Sequence, residues 1–445
     1  MKQEKGEDIP VLMEKIATSK HLHYWWWILL GSAFLIEIFV WWPGILRPDS
    51  VAQLSQAQQG IVTGDAHPPI MAFYWYFLNL LYPGPGLMLL THLSLLFASV
   101  ITLSRCFQDL SRWFFIGILF FPPIFCYAGF VLKDIGFSLS YLFVISILAF
   151  HTIHKKPLNF PSLFGLLILI FYGTAVKYQA IFLLPIVSFW TAFCTKRHVM
   201  IKGLCIWAIL WTSVTLFNDW ASPKKDHWWQ YVKLYDLAAI SIETGEHLIL
   251  PYNKTEDFSY ENIIKDFDPS RIDSLFYLLK KGANEEERSG LWDTWAKGVL
   301  NHPMAYLKHR FRLNKYLLST PSIKPFHQIK NYQEFVPNFI KEILYFLENW
   351  KAISLLQSIT AFYIYMPFVF LYIALGIIAY RRTKTPYGLS LLAMNGMALF
   401  HICVLFIFSL SSDARYIYIS VCLFHFSHPF MIECLKSLKT KKLSV

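Results

Sequence analysis

The chain consists largely of apolar runs of about twenty residues, separated by short polar segments. A helix of roughly twenty apolar residues crosses the hydrocarbon core of a bilayer, about 30 Å thick. An all-α polytopic membrane protein with about ten transmembrane helices is therefore expected. The predicted spans are Tyr24–Trp42, Leu87–Leu103, Trp113–Leu132, Ile135–Ile153, Phe160–Val176, Ala180–Cys194, Ile201–Phe217, Ile353–Tyr380, Tyr387–Leu410 and Tyr416–Ile432.

The remaining segments predict two further helical regions. The apolar run Ile70–Tyr82 lies between prolines and is too short to span comfortably, so we interpret it as an interfacial helix within the first external loop, residues 43–86. Three- and four-residue apolar spacing predicts a helical external domain between spans seven and eight. Its helices are Trp228–Ile240, Tyr260–Phe267, Ser270–Lys281, Glu285–Leu300, Pro303–Leu317 and Phe335–Trp350. The predicted regions are therefore 1–217 with spans one to seven, 218–352 as the external domain, and 353–445 with spans eight to ten and a basic tail.

Composition agrees with a chain solvated by lipid. Hydrophobic residues make up 55% of the 445 residues and charged residues 16%, against about 25% charged in soluble proteins. None of the seven cysteines lies in the long polar stretch from Asn218 to Leu347, which excludes an external domain held by disulfides. The first apolar run ends in Trp-Trp-Pro-Gly without a small-residue cleavage site, so we expect it to remain as an anchor.

The net charge of +11 predicts membrane topology rather than nucleic-acid binding, because the basic residues lie mainly on one side of the predicted spans. The short opposite loops hold only Arg47, Lys133, Lys177 and Arg415. By the positive-inside rule, both termini are expected in the cytoplasm of a multi-pass cell-membrane protein. The eighteen residues on the cytoplasmic side are Lys2, Lys5, Lys15, Lys20, Arg105, Arg112, Lys155, Lys156, Lys196, Arg197, Lys202, Arg381, Arg382, Lys384, Lys436, Lys439, Lys441 and Lys442.

Isolated ionisable residues gather at the opposite, external boundary of the spans. A lysine or arginine at a helix end can reach the headgroups, and an aspartate such as Asp49 can cap a helix, so each has a structural explanation. Together, however, four external loops bring charges of both signs to one boundary, as expected for a site that binds a phosphate-bearing lipid and a metal. These residues are Asp49, Asp65, His67, Lys133, Asp134, Lys177, Asp413 and Arg415.

Short motifs at these positions resemble the GT-C superfamily of integral-membrane glycosyltransferases. Within it, the chain is distantly similar to bacterial aminoarabinose transferases and protein O-mannosyltransferases. The chain departs from these relatives in two ways. Its acidic residue before the paired prolines, Asp65, is displaced by one position, and its external domain is predicted to be helical, whereas that of protein O-mannosyltransferases is β-rich. The motifs are Trp42-Pro43-Gly44-Ile45-Leu46-Arg47-Pro48-Asp49-Ser50, Gly64-Asp65-Ala66-His67-Pro68-Pro69, Val131-Leu132-Lys133-Asp134, Val176-Lys177-Tyr178-Gln179, Tyr235-Asp236-Leu237-Ala238-Ala239-Ile240-Ser241 and Ser412-Asp413-Ala414-Arg415-Tyr416.

The resemblance implies transfer of a sugar from a polyprenyl-phosphate donor to a glycan, lipid or protein acceptor on the outer face. A lipid-linked donor makes a nucleotide-binding fold unnecessary, and the sequence contains no phosphate-binding glycine loop. Asp49 is the expected general base of an inverting displacement, assisted by Asp134. Asp65 and His67 are candidate ligands of a divalent metal, Mg²⁺, Mn²⁺ or Zn²⁺. Nucleic acid and nucleotide cofactors are not expected. The expected substrate-binding residues are Arg47, Gln53, Lys133, Lys177, Arg415 and Tyr416.

Other classes of function stay open on the sequence. A secondary transporter or lipid flippase is expected to show inverted repeats and ionisable residues near the bilayer midplane. Repeats are not evident, and Glu37 is the one carboxylate well inside a predicted span. An outer-face glycan ligase or polymerase would use a lipid-diphosphate donor, and a non-catalytic lipid-binding protein could retain the same scaffold.

Overall fold

The computed structural model describes residues 9–62, 64, 66–107, 110–222, 224–254, 259–320 and 361–443. This part of the chain is helical and contains isolated β-bridges but no β-strand. Eighteen α-helices are described, numbered here in chain order. They are α1 Ile9–Trp41, α2 Pro48–Gln59, α3 Pro69–Leu81, α4 Gly86–Ser104, α5 Phe114–Gly117, α6 Pro122–Ala128, α7 Lys133–His154, α8 Phe160–Ala175, α9 Leu184–Cys194, α10 Val199–Ala221, α11 Gln230–Thr244, α12 Tyr260–Asp266, α13 Glu285–Asn301, α14 Pro303–Ser319, α15 Met366–Thr383, α16 Pro386–Phe408, α17 Tyr418–Phe426 and α18 His428–Leu443.

Seven segments in the described ranges are long and apolar enough to cross a membrane. The chain is therefore an all-α, multi-pass membrane protein, as predicted. Two more predicted spans form the helices α8 and α9, which at 16 and 11 residues are shorter than the usual span length. The seven segments are Tyr24–Trp41, Gly86–Ser104, Lys133–His154, Val199–Ala221, Met366–Thr383, Pro386–Phe408 and Ala414–Lys441.

The predicted span Trp113–Leu132 is wrong as a single helix. The structure divides this segment into α5, a 3₁₀ turn at Ile118–Phe120 and α6. Phe121 has an extended backbone because it precedes Pro122 and Pro123, and a residue before proline is driven out of the helical region. The apolar composition of the run was read correctly, whereas the effect of its paired prolines was not.

Two other predicted spans have different boundaries in the structure. The eighth, Ile353–Tyr380, is a helix from Met366 onward, and its residues 353–360 lie outside the described ranges. The tenth, Tyr416–Ile432, is divided at Ser427 between α17 and α18. The short run predicted at Ile70–Tyr82 does form a helix, Pro69–Leu81, which begins with prolines as a helix N-terminus allows.

The predicted external domain has its own hydrophobic core, to which α11, α12, α13 and α14 contribute. The predicted helix Ser270–Lys281 is wrong: the segment contains only a 3₁₀ turn at Asp273–Leu275 and loops. Its apolar residues Leu275, Leu278 and Leu279 are nevertheless buried, so apolar spacing at three and four residues reflected burial rather than a helix. The predicted helix Phe335–Trp350 lies outside the described residues.

A buried arginine of the predicted external domain links that domain to the loop after α16. Arg310 of α14 donates a hydrogen bond to Asp236 of α11 at 2.7 Å, and both side chains are fully buried. The same guanidinium donates to the carbonyl oxygen of Ser409, just after α16, at 2.9 Å. The Ile272 and Ser412 amides add backbone hydrogen bonds to Leu410 and Ser270 at 3.1 and 2.8 Å. The loop after α16 is thereby held in place against α14 and the segment around Ser270.

Candidate functional site

Asp49 is positioned by the start of α2. The N-cap residue is Arg47, Pro48 follows as the first helical residue, and Asp49 lies within the first turn, where the helix dipole stabilises a negative charge. The explanation of Asp49 as an N-cap is therefore wrong. The preceding residue Ile45 forms a parallel bridge with the segment before α7: its amide donates to Gly129 at 2.8 Å, and its carbonyl accepts from Val131 at 3.0 Å. This bridge brings the loop between α1 and α2 beside the start of α7.

The start of α7 supplies Lys133 and Asp134. The carboxylate of Asp134 is fully buried and pairs with Lys177, which follows α8. The ammonium of Lys177 also lies over the ring of Tyr416, 4.7 Å from its centre, so that the ring stabilises the cation on a second side. Two positions separated by 43 residues thus form one buried ion pair.

Arg415 connects three carboxylates. Its Nη1 atom is 3.0 Å from Oδ2 of Asp49, and its Nε atom is 3.5 Å from Oδ2 of Asp134 and 3.4 Å from Oδ2 of Asp413. Asp413 also accepts a hydrogen bond from Arg47 at 2.8 Å. The guanidinium is a planar fork of donors, which suits it to join several carboxylates at once.

The structure therefore brings the predicted residues from four loops into one cluster, which we call the charged site. It contains four cations and three carboxylates among the described residues, and so has one positive charge in excess. Burial acts to raise the pKa of Asp49, but the charges of Arg415 and Lys133 outweigh it and hold that pKa below the usual range. The members of the charged site are Arg47, Asp49, His67, Lys133, Asp134, Lys177, Asp413, Arg415 and Tyr416.

His67 lies at the edge of the charged site, against Lys133. The two nitrogens, Nδ1 of His67 and Nζ of Lys133, are 2.6 Å apart. Burial and then the lysine charge lower the pKa of His67 to about 4, so the imidazole is neutral at pH 7 and its Nδ1 accepts from the ammonium. That nitrogen does not fit a metal ligand in this arrangement. The other predicted ligand, Asp65, lies outside the described residues, which contain no group of three or more His, Cys, Asp or Glu side chains placed to hold a metal.

We expect His67 to make the protein less stable in weak acid. Because its pKa in the folded state is about 4, below the ordinary value of 6.5, the unfolded chain takes up a proton first, and stability falls as the pH drops from about 6.5 to 4. The His67→Gln variant should lose this slope, since glutamine does not titrate. Thermal unfolding of both proteins between pH 7 and 4 checks this; an identical slope in both would contradict the neutral buried imidazole.

A cavity of about 660 Å³ opens beside the charged site, within the size range of small-molecule sites. Charged and apolar side chains share its wall, as an amphipathic ligand requires. Asp49 lies behind Lys133 rather than in the lining, with 3.9 Å between Oδ2 and Nζ. The polar lining includes Lys133, Asp134, Lys177, Asp219, Lys225 and Tyr416, and the apolar lining includes Phe182, Trp228, Trp229, Leu405, Phe408 and Leu410.

Two predicted substrate-binding residues have different surroundings. Tyr416 lines the cavity, and its hydroxyl accepts from Arg415 at 3.3 Å. Gln53 lies one turn after Asp49 in α2; its side chain is fully buried, and its amide has no hydrogen-bond partner among the described residues. A buried amide without a partner is costly, but Gln53 does not line the cavity, and its role in substrate binding stays a prediction.

Some contacts and some residues of the site were not predicted from the sequence. Asp413 was noted as ionisable, but its bridge between Arg47 and Arg415 depends on contacts between distant loops. The last turn of α10 contributes Asp219 to the cavity, and the segment between α10 and α11 contributes Lys225 and two tryptophans. The tryptophans gave a usable signal, because Trp228-Trp229 follows a predicted span, where aromatic residues mark the interface or a ligand.

Comparison with known proteins adds no identification: no protein-family model, curated protein or solved structure matches this chain.

Proposed function

We propose that this protein is a membrane glycosyltransferase, of the kind its motifs resemble, which moves a sugar from a polyprenyl-phosphate donor to an acceptor at the outer membrane boundary. The observation that supports this most is the charged site beside a cavity with an apolar wall. A lipid-linked sugar phosphate has an apolar chain, an anion and a sugar, and the cavity offers a complementary surface to each. The acceptor is a hydroxyl or amine of a glycan, lipid or protein.

Lys133 and Lys177 are the proposed contacts to the donor phosphate, because both line the cavity. Departure of a polyprenyl phosphate leaves a negative charge on its oxygen, and fixed cations stabilise that charge as it develops. Arg415 would act behind them. It is buried against Tyr416 and the carboxylates, so it holds the site together and adds positive potential.

Asp49 is the proposed general base, and Asp134 its assistant. The lowered pKa of Asp49 keeps it ionised at neutral pH, as an acceptor of the proton lost by the attacking hydroxyl or amine must be. Attack on the anomeric carbon from the face opposite the phosphate would invert its configuration. A divalent metal is not part of the proposal, because Nδ1 of His67 accepts from Lys133 and does not fit a metal ligand.

The direct test is release of polyprenyl phosphate from a radiolabelled polyprenyl-phosphate sugar by the purified protein in proteoliposomes, with a membrane extract as the source of acceptors. The proposed function expects label to move from the lipid to an acceptor in a time-dependent way. Liposomes that carry the Lys133→Gln variant are the matched control, because this change removes one phosphate contact and leaves the buried pair of Lys177 and Asp134 intact.

We propose that both termini are cytoplasmic and that the charged site faces outward. In a cysteine-free background, Ser289→Cys on α13 and Thr440→Cys on α18 place single thiols at exposed positions. An impermeant maleimide added to intact cells should label the cysteine at 289 and reach the one at 440 only after the cells are opened. The reverse pattern, or equal labelling of both in intact cells, would contradict the sidedness derived from the basic residues.

A further inference from the structure

A second, smaller cavity lies at the opposite end of α7 from the charged site. The 22 residues of α7 extend for roughly 33 Å at the rise of an α-helix, from Lys133 at the charged site to His151 and Thr152 at this cavity. Its volume is about 410 Å³. We call it the inner basic pocket. It is lined by His151, Thr152, Lys155, Lys156, Phe193, Cys194, Lys196, Val199, Tyr380, Lys384, Pro386 and Leu389.

Among the residues that the structure describes, no carboxylate lines this pocket, whereas four lysines do: Lys155, Lys156, Lys196 and Lys384. The sequence explains why none is close by along the chain. No Asp or Glu occurs between Asp134 and Asp219, or between Glu348 and Asp413. The charged site at the other end of α7 pairs its cations with three carboxylates, whereas the inner basic pocket leaves its positive charge uncompensated by its own lining.

Three of these lysines occupy backbone conformations that favour glycine. Lys155 and Lys384 directly follow the ends of α7 and α15, with φ of 52° and 54°, and Lys196 follows α9 with φ of 64°. Glycine is the usual residue at such helix ends, because the left-handed region is strained for residues with a side chain. Three helices therefore place a lysine around one cavity where glycine would be the more stable choice. Strain retained in this way is typical of functional positions.

The rest of the lining has the properties of a lipid contact. Phe193, Val199 and Leu389 give the pocket an apolar side between α9, α10 and α16, and the ammonium groups lie at exposed positions around it. We propose that the inner basic pocket binds the phosphate headgroup of an anionic phospholipid from the cytoplasmic leaflet, with the start of its acyl chains against the apolar side. Basic pockets between transmembrane helices on the cytoplasmic side are suited to this chemistry.

The competing explanation is that these lysines only orient the protein by the positive-inside rule, with no binding site. The two explanations differ in whether lipid binding saturates and in whether the position of a substituted lysine matters. A site binds one headgroup and depends on the lysines that line it, whereas a diffuse positive surface attracts anionic lipid through every lysine of that side. The proposal does not depend on the activity at the charged site.

The test uses the full-length protein in detergent, titrated with dioctanoyl phosphatidylglycerol, dioctanoyl phosphatidylcholine and inorganic phosphate. The pocket variant is Lys155→Gly/Lys196→Gly/Lys384→Gly, which removes three charges and relieves the backbone strain. The control variant, Lys436→Gln/Lys439→Gln/Lys441→Gln, removes the same number from α18. A lysine near an anionic surface contributes about fivefold in affinity, so the pocket variant should bind phosphatidylglycerol about a hundredfold more weakly and the control within about threefold of the wild type.

Saturable binding that prefers phosphatidylglycerol over phosphatidylcholine at least tenfold is the expected result for the wild type. Equal affinity for the two lipids, or equal weakening in both variants, would overturn the proposal. Inorganic phosphate that binds as tightly as phosphatidylglycerol would overturn the assignment to a lipid. Without lipid, the glycine variant should unfold at the same temperature as the wild type or higher. A lower unfolding temperature in the glycine variant would contradict the argument from backbone strain. The Lys156→Gln/Lys384→Gln variant would then replace the glycine variant in the same lipid titration.

Discussion

The Asp49→Asn variant should turn over donor roughly 10² to 10⁴ times more slowly than the wild type, the usual loss when a general base is removed. Asparagine keeps the size of the side chain and can still accept a hydrogen bond from Arg415, but it cannot take a proton from the acceptor. The KM for the donor should stay unchanged or fall. The reason is that the carboxylate of Asp49 competes with the donor phosphate for Lys133 in the wild type.

The control for this measurement is Asp293→Asn, which changes an exposed aspartate on α13 and should leave both constants unaltered. Asp134→Asn separates the two carboxylates of the site, because Asp134 lines the cavity and Asp49 does not. Near-normal turnover in Asp49→Asn with a large loss in Asp134→Asn would transfer the role of base to Asp134. Near-normal turnover in both would contradict the catalytic assignment.

Replacement of Arg415 by methionine should have the largest effect on the fold of the site. The guanidinium is the shared partner of Asp49, Asp134 and Asp413. Its loss leaves each carboxylate with one cation, and two of the three carboxylates are buried. Breaking a buried pair on one side typically costs about 3 to 5 kcal/mol. We expect a clear fall in the thermal unfolding temperature, together with loss of donor binding. Arg415→Lys should recover part of the stability, because it restores the charge but not the fork of donors.

An arginine outside the site provides the comparison. Arg271 forms a surface pair with Asp268 at 3.4 Å, and both side chains are exposed. Such pairs contribute about 0 to 1 kcal/mol, so Arg271→Met should change the unfolding temperature little. If the two methionine variants were equally stable, Arg415 would not be the residue that holds the three carboxylates together.

The membrane helices could be predicted because the signal is local. The length and apolar composition of a run such as Pro386–Phe408 are visible in the sequence of that run alone. Contacts with distant residues are not needed to predict such a helix. Breaks in helices are also local, but they are subtler: the paired prolines Pro122 and Pro123 were present in the sequence and still did not change the predicted span Trp113–Leu132. The segment Ser270–Lys281 was predicted as a helix but is mostly loop. Its apolar residues are buried, and apolar residues three and four positions apart can be buried in a loop as well as in a helix.

The charged site could be predicted in outline and not in its connections. Sidedness placed Asp49, Lys133, Lys177 and Arg415 at one boundary, and opposite charges at one height tend to meet. Which cation binds which carboxylate depends on the three-dimensional path of the chain. The pair between Arg47 and Asp413 joins positions 366 residues apart, and its formation requires both the bridge at Ile45 and the anchored loop after α16.

One measurement separates the proposed transferase from a protein that only moves lipid-linked sugars across the membrane. A detergent micelle does not separate two aqueous compartments. Transport therefore cannot be observed in detergent, whereas transfer of the sugar can. Purified wild-type protein in detergent is mixed with a radiolabelled polyprenyl-phosphate sugar and a membrane extract that supplies acceptors, and free polyprenyl phosphate is measured over time. The account predicts its release by the wild type, with the loss in Asp49→Asn given above. No release in detergent from a protein that still translocates the same donor in liposomes would contradict it.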